Sequence, residues 1–119
     1  MENAMKLSVL LFFLGLKLRM SSLLSAAFRK RLRNENFVIV IRAAEEGPAR
    51  TFRIHDGRIR SSSRRDRSAD TELVWCDPQT AVRIMLSSDE LDSFSAIGKA
   101  QLRVLGNLEN ALRFMDLAK

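Results

Sequence analysis

The chain has 119 residues, enough for one domain whose single core buries roughly two-thirds of the unfolded surface. One cysteine, Cys76, excludes an internal disulfide and a multi-cysteine zinc site, and one histidine, His55, removes most zinc and triad chemistry. The net charge of +6 is uneven, with fifteen Lys/Arg against six Asp/Glu in residues 1–67 and five against eight in residues 68–119. A basic front half suits an anionic partner, whether membrane headgroups or nucleic acid, although solvated surface charge is the plain alternative. With so little cysteine, a reducing compartment is the default, so we expect a cytoplasmic protein, with the inner face of the membrane as a candidate resting place.

From Leu7 to Leu16 only Ser8 and Gly15 interrupt an apolar run of about ten residues, half the roughly twenty that span a bilayer. Glu2 offsets Lys6, and Lys17 and Arg19 follow directly, which is unlike a secretory signal. Continued to about Leu32, the segment reads as one long amphipathic helix within residues 1–33. Val9, Phe13, Leu16, Met20, Leu23, Leu24, Ala27 and Phe28 fall on one stripe, and Gly15, Arg19, Ser22, Arg29 and Arg33 on the other side. Leu11 and Phe12 widen the apolar surface of the first turns almost all the way round. A helix end of that kind is buried in a core, in a partner subunit, in a membrane interface or across a pocket mouth. For the membrane case the contacts are Phe12 with Arg29, Lys30, Arg31 and Arg33, the cations meeting anionic headgroups.

After Asn36 the period changes. Phe37-Val38-Ile39-Val40-Ile41 is apolar on both faces, as in a central, covered strand. Glu46-Gly47-Pro48 is a turn, Thr51 to Ile54 alternates, and Asp56-Gly57 is a strong hairpin signal leading into Ile59. A three-stranded antiparallel meander results. Ser61 to Ser68 holds no apolar residue and reads as a mobile loop. Leu73-Val74-Trp75 is a fourth strand, and Asp77-Pro78 caps and opens a helix with Ala81, Val82, Ile84 and Met85 on its apolar side. Ser87 and Glu90 form a capping-box pattern for the next helix, which carries Leu91, Phe94, Ala96 and Ile97 and which Gly98 can stop in a left-handed conformation. Leu102, Val104 and Leu105 mark a last strand, Gly106 breaks it, and Asn107 caps a helix with Leu108, Ala111, Leu112 and Met115 on one face. The fold class is α+β: about five strands in a mixed, mainly antiparallel sheet covered on one face by helices, with residues 36–119 holding sheet and helices.

The order Ala96-Ile97-Gly98-Lys99, Leu102-Arg103-Val104-Leu105-Gly106-Asn107, then a helix through Phe114-Met115, resembles the closing segment of the sterol carrier protein 2 sterol-binding domain family. Ala69-Asp70-Thr71-Glu72-Leu73 is similar to another of its segments, and the resemblance spans roughly Asn36 to Lys119. It implies an α+β fold with a lipid-sized tunnel, in a small single-domain bacterial member. Some such members resemble accessory factors of ubiquinone biosynthesis that hold prenylated intermediates. There are two departures: there is no Ser-Lys-Leu peroxisomal ending, and the tail segment that in this family helps close the tunnel is short or missing. The N-terminal helix can take the tail's place or pair with another subunit.

Catalytic chemistry is scarce. There is no phosphate-binding loop at Gly98-Lys99 and no G-x-S-x-G elbow. Asp89, Glu90 and Asp92 read as solvated helix-start charge, His55 as an exposed residue beside a turn, and Cys76 as a buried, inert thiol. We therefore expect no enzyme and no cofactor or metal. The expected function is binding and transfer of a lipid or isoprenoid in an apolar pocket between sheet and helices, lined by Phe13, Leu16, Met20, Leu24, Phe28, Trp75, Ile84, Met85, Phe94, Ile97, Leu112 and Met115. These residues filling a solid core is the plain alternative. The expected partner is a lipid or prenylated small molecule, and an anionic membrane surface and a second copy paired through the N-terminal helix are candidates. A nucleic-acid module built on Arg50, Arg53, Arg58, Arg60, Arg64, Arg65 and Arg67 is the competing reading, disfavoured because Phe52 and Trp75 fit a core better than a stacking surface. A helix-mediated assembly protein without ligand is the third.

Overall fold

A computed structural model describes residues 2–33, 35–44, 47–86 and 91–117, the side chains of residues 2, 3 and 91–94 excepted. The Ser87–Glu90 capping box, the Asp89-Glu90-Asp92 group, Glu46 and the Phe94 side chain lie outside the described residues. Two helices, α1 (Glu2–Leu24) and α2 (Ala26–Leu32), precede β1 (Asn36–Ala43), β2 (Ala49–His55), β3 (Arg58–Ser62) and β4 (Thr71–Trp75). Then come α3 (Pro78–Met85), α4 (Leu91–Gly98), β5 (Leu102–Gly106) and α5 (Leu108–Leu117). The five strands form one mixed sheet in the order β3-β2-β1-β4-β5, with β1 and β4 parallel and every other pair antiparallel. The chain is α+β, and β1, the run apolar on both sides, occupies the middle.

Alternation along the strands sorts the residues between the two faces of the sheet. Phe37, Ile39 and Ile41 of β1 share the helix-covered face with Phe52 and Ile54, Ile59, Leu73 and Trp75, and Leu102, all of them buried. The opposite face carries Val40, Arg42, Thr51, Arg53 and Glu72, and the segment after β3 crosses it. That segment, expected to be a mobile loop, is tied down. Thr51 donates its hydroxyl to the Arg64 carbonyl and accepts from the Asp66 N–H, Arg53 pairs with Asp66, and Arg42 and Arg65 both reach the Glu72 carboxylate.

This polar face makes stability depend on pH. Burial pushes the Glu72 carboxyl up, but hydrogen bonds from Arg42 and Arg65 outweigh that and hold it below its ordinary 4.5. Hydrogen bonds from the Ser68 hydroxyl and N–H do the same for Asp66, below 3.8. A carboxylate whose folded value is depressed adds stability that is complete above its unfolded value and lost as pH falls through the folded one. Melting temperature should therefore hold from neutral pH to about pH 5 and fall below it. Glu72→Gln should shallow that acid slope; an unchanged slope would mean these pairs contribute nothing.

The break between α1 and α2 is local chemistry. Ser25 leaves the helical region and accepts the Phe28 N–H on its side chain, while the Arg29 guanidinium donates to the Ser22 and Leu23 carbonyls. One continuous helix to Leu32 was the expectation; the N-capping serine divides it. The facing of α1 also differs. Leu7, Leu11 and Leu18 point to the sheet at 0–1% exposure, Gly15 and Ser22 are buried with them, and the stripe of Val9, Phe13, Leu16, Met20, Leu23 and Leu24 faces outward. Two leucine-rich faces compete, and close approach decides between them. A Cβ on Gly15 would stand 2.6 Å from Ser61 Oγ and 3.3 Å from Arg50 Nε, so only the glycine side lets α1 settle this near β2 and β3. Arg50 hydrogen-bonds Ser61 Oγ and its guanidinium lies 5.3 Å from the Phe12 ring centre, pinning the helix further. The residues Ala4–Leu24 are long and apolar enough to cross a membrane by length and composition, unlike the ten-residue run alone, but in this fold one face of them is part of the core.

The C-terminal half follows its caps. Asp77 accepts the Thr80 N–H with Pro78 in the first turn, and Asn107 accepts the Asn110 N–H. The left-handed residue after α4 is Ala100 (φ 59°), two positions beyond the expected Gly98. At the β5–α5 elbow Gly106 has φ 89°. α5 buries Ala111 and Phe114, whose ring lies 5.0 Å from that of Phe52. Cys76, expected to be buried, is exposed at the end of β4, its thiol donating to the Asp77 carboxylate. It sits where the chain leaves the sheet for α3, on the outward side of the cap.

Candidate functional site

α1 exposes an unusual amount of hydrocarbon. Leu24 is 78% exposed, Leu23 66% and Phe13 56%, and Met5, Val9, Phe12, Leu16 and Met20 are also open to solvent. Large apolar side chains massed on one exposed face mark a binding surface more often than a bare core helix does. Along one flank of this stripe runs a groove of about 800 Å³, open to solvent. Its wall is Leu10, Phe13, Leu14, Leu16, Lys17, Met20, Ser21, Leu24 and Ser25 on one side and Met85 of α3 on the other. That volume lies in the usual range for small-molecule sites, and so does the mix of mostly apolar side chains with a few polar groups. Two methionines face each other across it, unbranched and able to adapt to an irregular guest.

Of the residues the sequence singled out for a lipid, Phe13, Leu16, Met20, Leu24 and Met85 stand in this wall. Trp75 and Ile84 lie instead in the buried core, the Trp75 indole N–H without a hydrogen-bond partner among the described residues. Phe28 and Ile97 pack against that core, and Leu112 and Met115 lie on α5 away from the groove. The groove therefore runs along the outer helix surface. No strand contributes to its wall, so it is not the space between sheet and helices that was expected. Leu10, Leu14, Lys17, Ser21 and Ser25 were missed. Leu10, Leu14 and Ser21 recur at four- and seven-residue spacing on the flank between the two leucine faces, a third line that the sequence does contain.

The charged residues divide by role. Arg29 is committed to the α1 carbonyls and Arg31 to Asp116, whereas Lys30 and Arg33 are exposed. The arginines of a nucleic-acid surface are partly committed too: Arg53 to Asp66, Arg65 to Glu72 and Arg50 to Ser61. Phe52 and Trp75 are buried, which leaves them unable to stack on bases. Among the described residues no group of His, Cys, Asp and Glu is arranged to hold a metal ion. The groove wall contains no carboxylate, imidazole or thiol, and its polar groups are Lys17, Ser21 and Ser25.

No family model matches the chain and no curated protein does. Solved structures do. A UbiJ-SCP2 ubiquinone synthesis protein superposes with a TM-score of 0.65 at 16% identity, covering 96% of this chain and 93% of that one. A crystal structure of sterol carrier protein 2 gives 0.59 at 17% identity over 88% and 83%. Sterol carrier protein 2 from Yarrowia lipolytica in its apo form gives 0.52 at 16% identity over 86% and 84%. At these identities the likeness is one of fold. The chain has the fold of the sterol carrier protein 2 sterol-binding domain.

Proposed function

We propose that this protein binds and transfers a lipid or isoprenoid without chemical change, holding the hydrocarbon in the groove beside α1. The observation that carries this reading is the groove itself: a wall of apolar, adaptable side chains left open to solvent on a fold whose similar structures include sterol carriers. A tail burying on the order of 400 Å² of apolar surface gains about 10 kcal/mol gross. Association costs take about 4 kcal/mol or more of that, leaving an affinity of roughly tens of micromolar without any polar anchor. Lys17, Ser21 and Ser25 lie on the wall where a headgroup can meet them. The likeness to a ubiquinone synthesis protein favours a prenylated quinone precursor over a sterol as the guest.

A fluorescent polyene fatty acid tests this. Titrated into the protein, it should saturate at one site per chain, and a prenylated quinone analogue should displace it more strongly than cholesterol does. Fluorescence no greater than with a folded protein lacking a groove would defeat the reading.

A further inference from the structure

β3 lies at one edge of the sheet, and its hairpin fixes which backbone groups face outward. Asp56-Gly57 is a two-residue turn with both residues at positive φ (46° and 86°), so His55 and Arg58 close the hairpin as a hydrogen-bonded pair. From there the pairs alternate, and Arg58, Arg60 and Ser62 direct their backbone groups at β2. Ile59 and Ser61 therefore turn their N–H and C=O away from the sheet, and among the described residues neither meets a backbone partner on that side.

The side chains of β3 alternate as well. Ile59 is buried in the core, whereas Arg58 and Arg60 stand exposed on the polar face. Arg60 is directly opposite Arg53, and the segment that crosses this face adds Arg64 and Arg67. Between Arg50 and Arg67 there are seven arginines, two aspartates and no lysine. Arg53 and Arg65 are paired with Asp66 and Glu72, but Arg58, Arg60, Arg64 and Arg67 have no ion-pair partner among the described residues. Like charges opposite each other on neighbouring strands repel. Asp66 answers Arg53, and Arg60 is left over.

What the face lacks selects the occupant. No large apolar side chain of β2, β3 or the crossing segment is exposed, so nothing there can enter a bilayer. No aromatic ring is exposed there either, so bases find no stacking platform. A second copy would set Arg58 and Arg60 against themselves, and charge of one sign on an edge keeps like chains apart. An extended segment with a carboxylate at every second position suits both features at once. Its backbone completes the open ladder, and its carboxylates accept paired hydrogen bonds from guanidinium groups.

We infer that β3 is the docking edge for an acidic, extended segment of a partner protein, which adds to the sheet as a further strand beside Ile59 and Ser61 with its carboxylates on Arg58 and Arg60. The residues between the acidic ones lie on the side where Gly15 of α1 approaches Ser61, so they are small. No residue of β3 belongs to the groove wall, and the docking edge does not depend on what the groove holds.

Fluorescence anisotropy with a labelled peptide of alternating glutamate and threonine tests it on the full chain. The peptide should bind saturably. Methyl groups on alternate backbone nitrogens block one edge of a peptide strand and leave its charge alone. Of two methylated forms, one at every threonine and one at every glutamate, one should bind as the parent peptide does and the other at least about tenfold more weakly. Arg58→Gln with Arg60→Gln should weaken binding about tenfold. Both positions are exposed, so circular dichroism and the fatty-acid titration should match the parent protein, which separates failure here from failure of the groove. No saturable binding, equal binding of the two methylated forms, no change in the arginine variant, or uridine RNA of equal charge held more tightly than the peptide would each overturn the inference.

Discussion

Gly106→Ala should destabilise the protein by roughly 3–5 kcal/mol, the largest effect expected of any single methyl group in this chain. Gly106 has φ 89°, where an L-residue is strained, and an added Cβ would be driven into the Asp70 carbonyl oxygen, with the Asp70 carbonyl carbon at 3.2 Å. Asp70 cannot yield. Its N–H donates to the Val38 carbonyl, its carboxylate accepts the Val38 N–H, and its carbonyl accepts the Asn107 N–H. The elbow that carries the chain from β5 into α5 is thus locked to β1 and β4 at one point. Gly98→Ala is the matched control, since nothing lies within 4 Å of its added Cβ and its backbone is ordinary. It should change stability by less than about 1 kcal/mol. Equal losses in urea melts of the two variants would remove the close-packed elbow from the account.

The second large effect concerns the ligand. Met20→Asp together with Leu24→Asp should weaken binding of the fluorescent fatty acid about a hundredfold, close to 2.7 kcal/mol. Both side chains line the groove and both are well exposed, so the carboxylates cost little in the free protein. Once a hydrocarbon covers them they lose water and gain no partner, and that desolvation is set against binding. Leu23→Asp adds one such charge next to Leu24 but outside the wall, and should leave affinity within about twofold. Equal losses from the two would mean that charge on α1, rather than the groove, controls uptake.

The sequence announces elements whose cause is local. The both-sided run Phe37–Ile41 becomes the central strand, Asp56-Gly57 becomes a tight turn with both residues at positive φ, and Asp77 and Asn107 cap the helices they precede. The facing of α1 is not local. Leu7, Leu11 and Leu18 make as regular a stripe as Val9, Phe13, Leu16 and Met20, so periodicity alone cannot choose. The choice comes from the fit of Gly15 against Ser61 and Arg50, residues 46 and 35 positions away in the chain. The loop after β3 is similar: its arginines look like free charge until Glu72 and Asp66 are brought beside them. The groove was half legible for the same reason. Its aromatic and methionine members are conspicuous, but that they form an outer wall with Met85, and that Trp75 and Ile84 do not join them, depends on which way the helix turns.

Mass spectrometry of an organic extract of the purified protein tests the carrier account most directly. The account predicts one lipid or prenylated quinone class at close to one molecule per chain, lost from the Met20→Asp/Leu24→Asp protein. Extracts of folded protein holding no more lipid than those of an unrelated protein prepared alongside would contradict it.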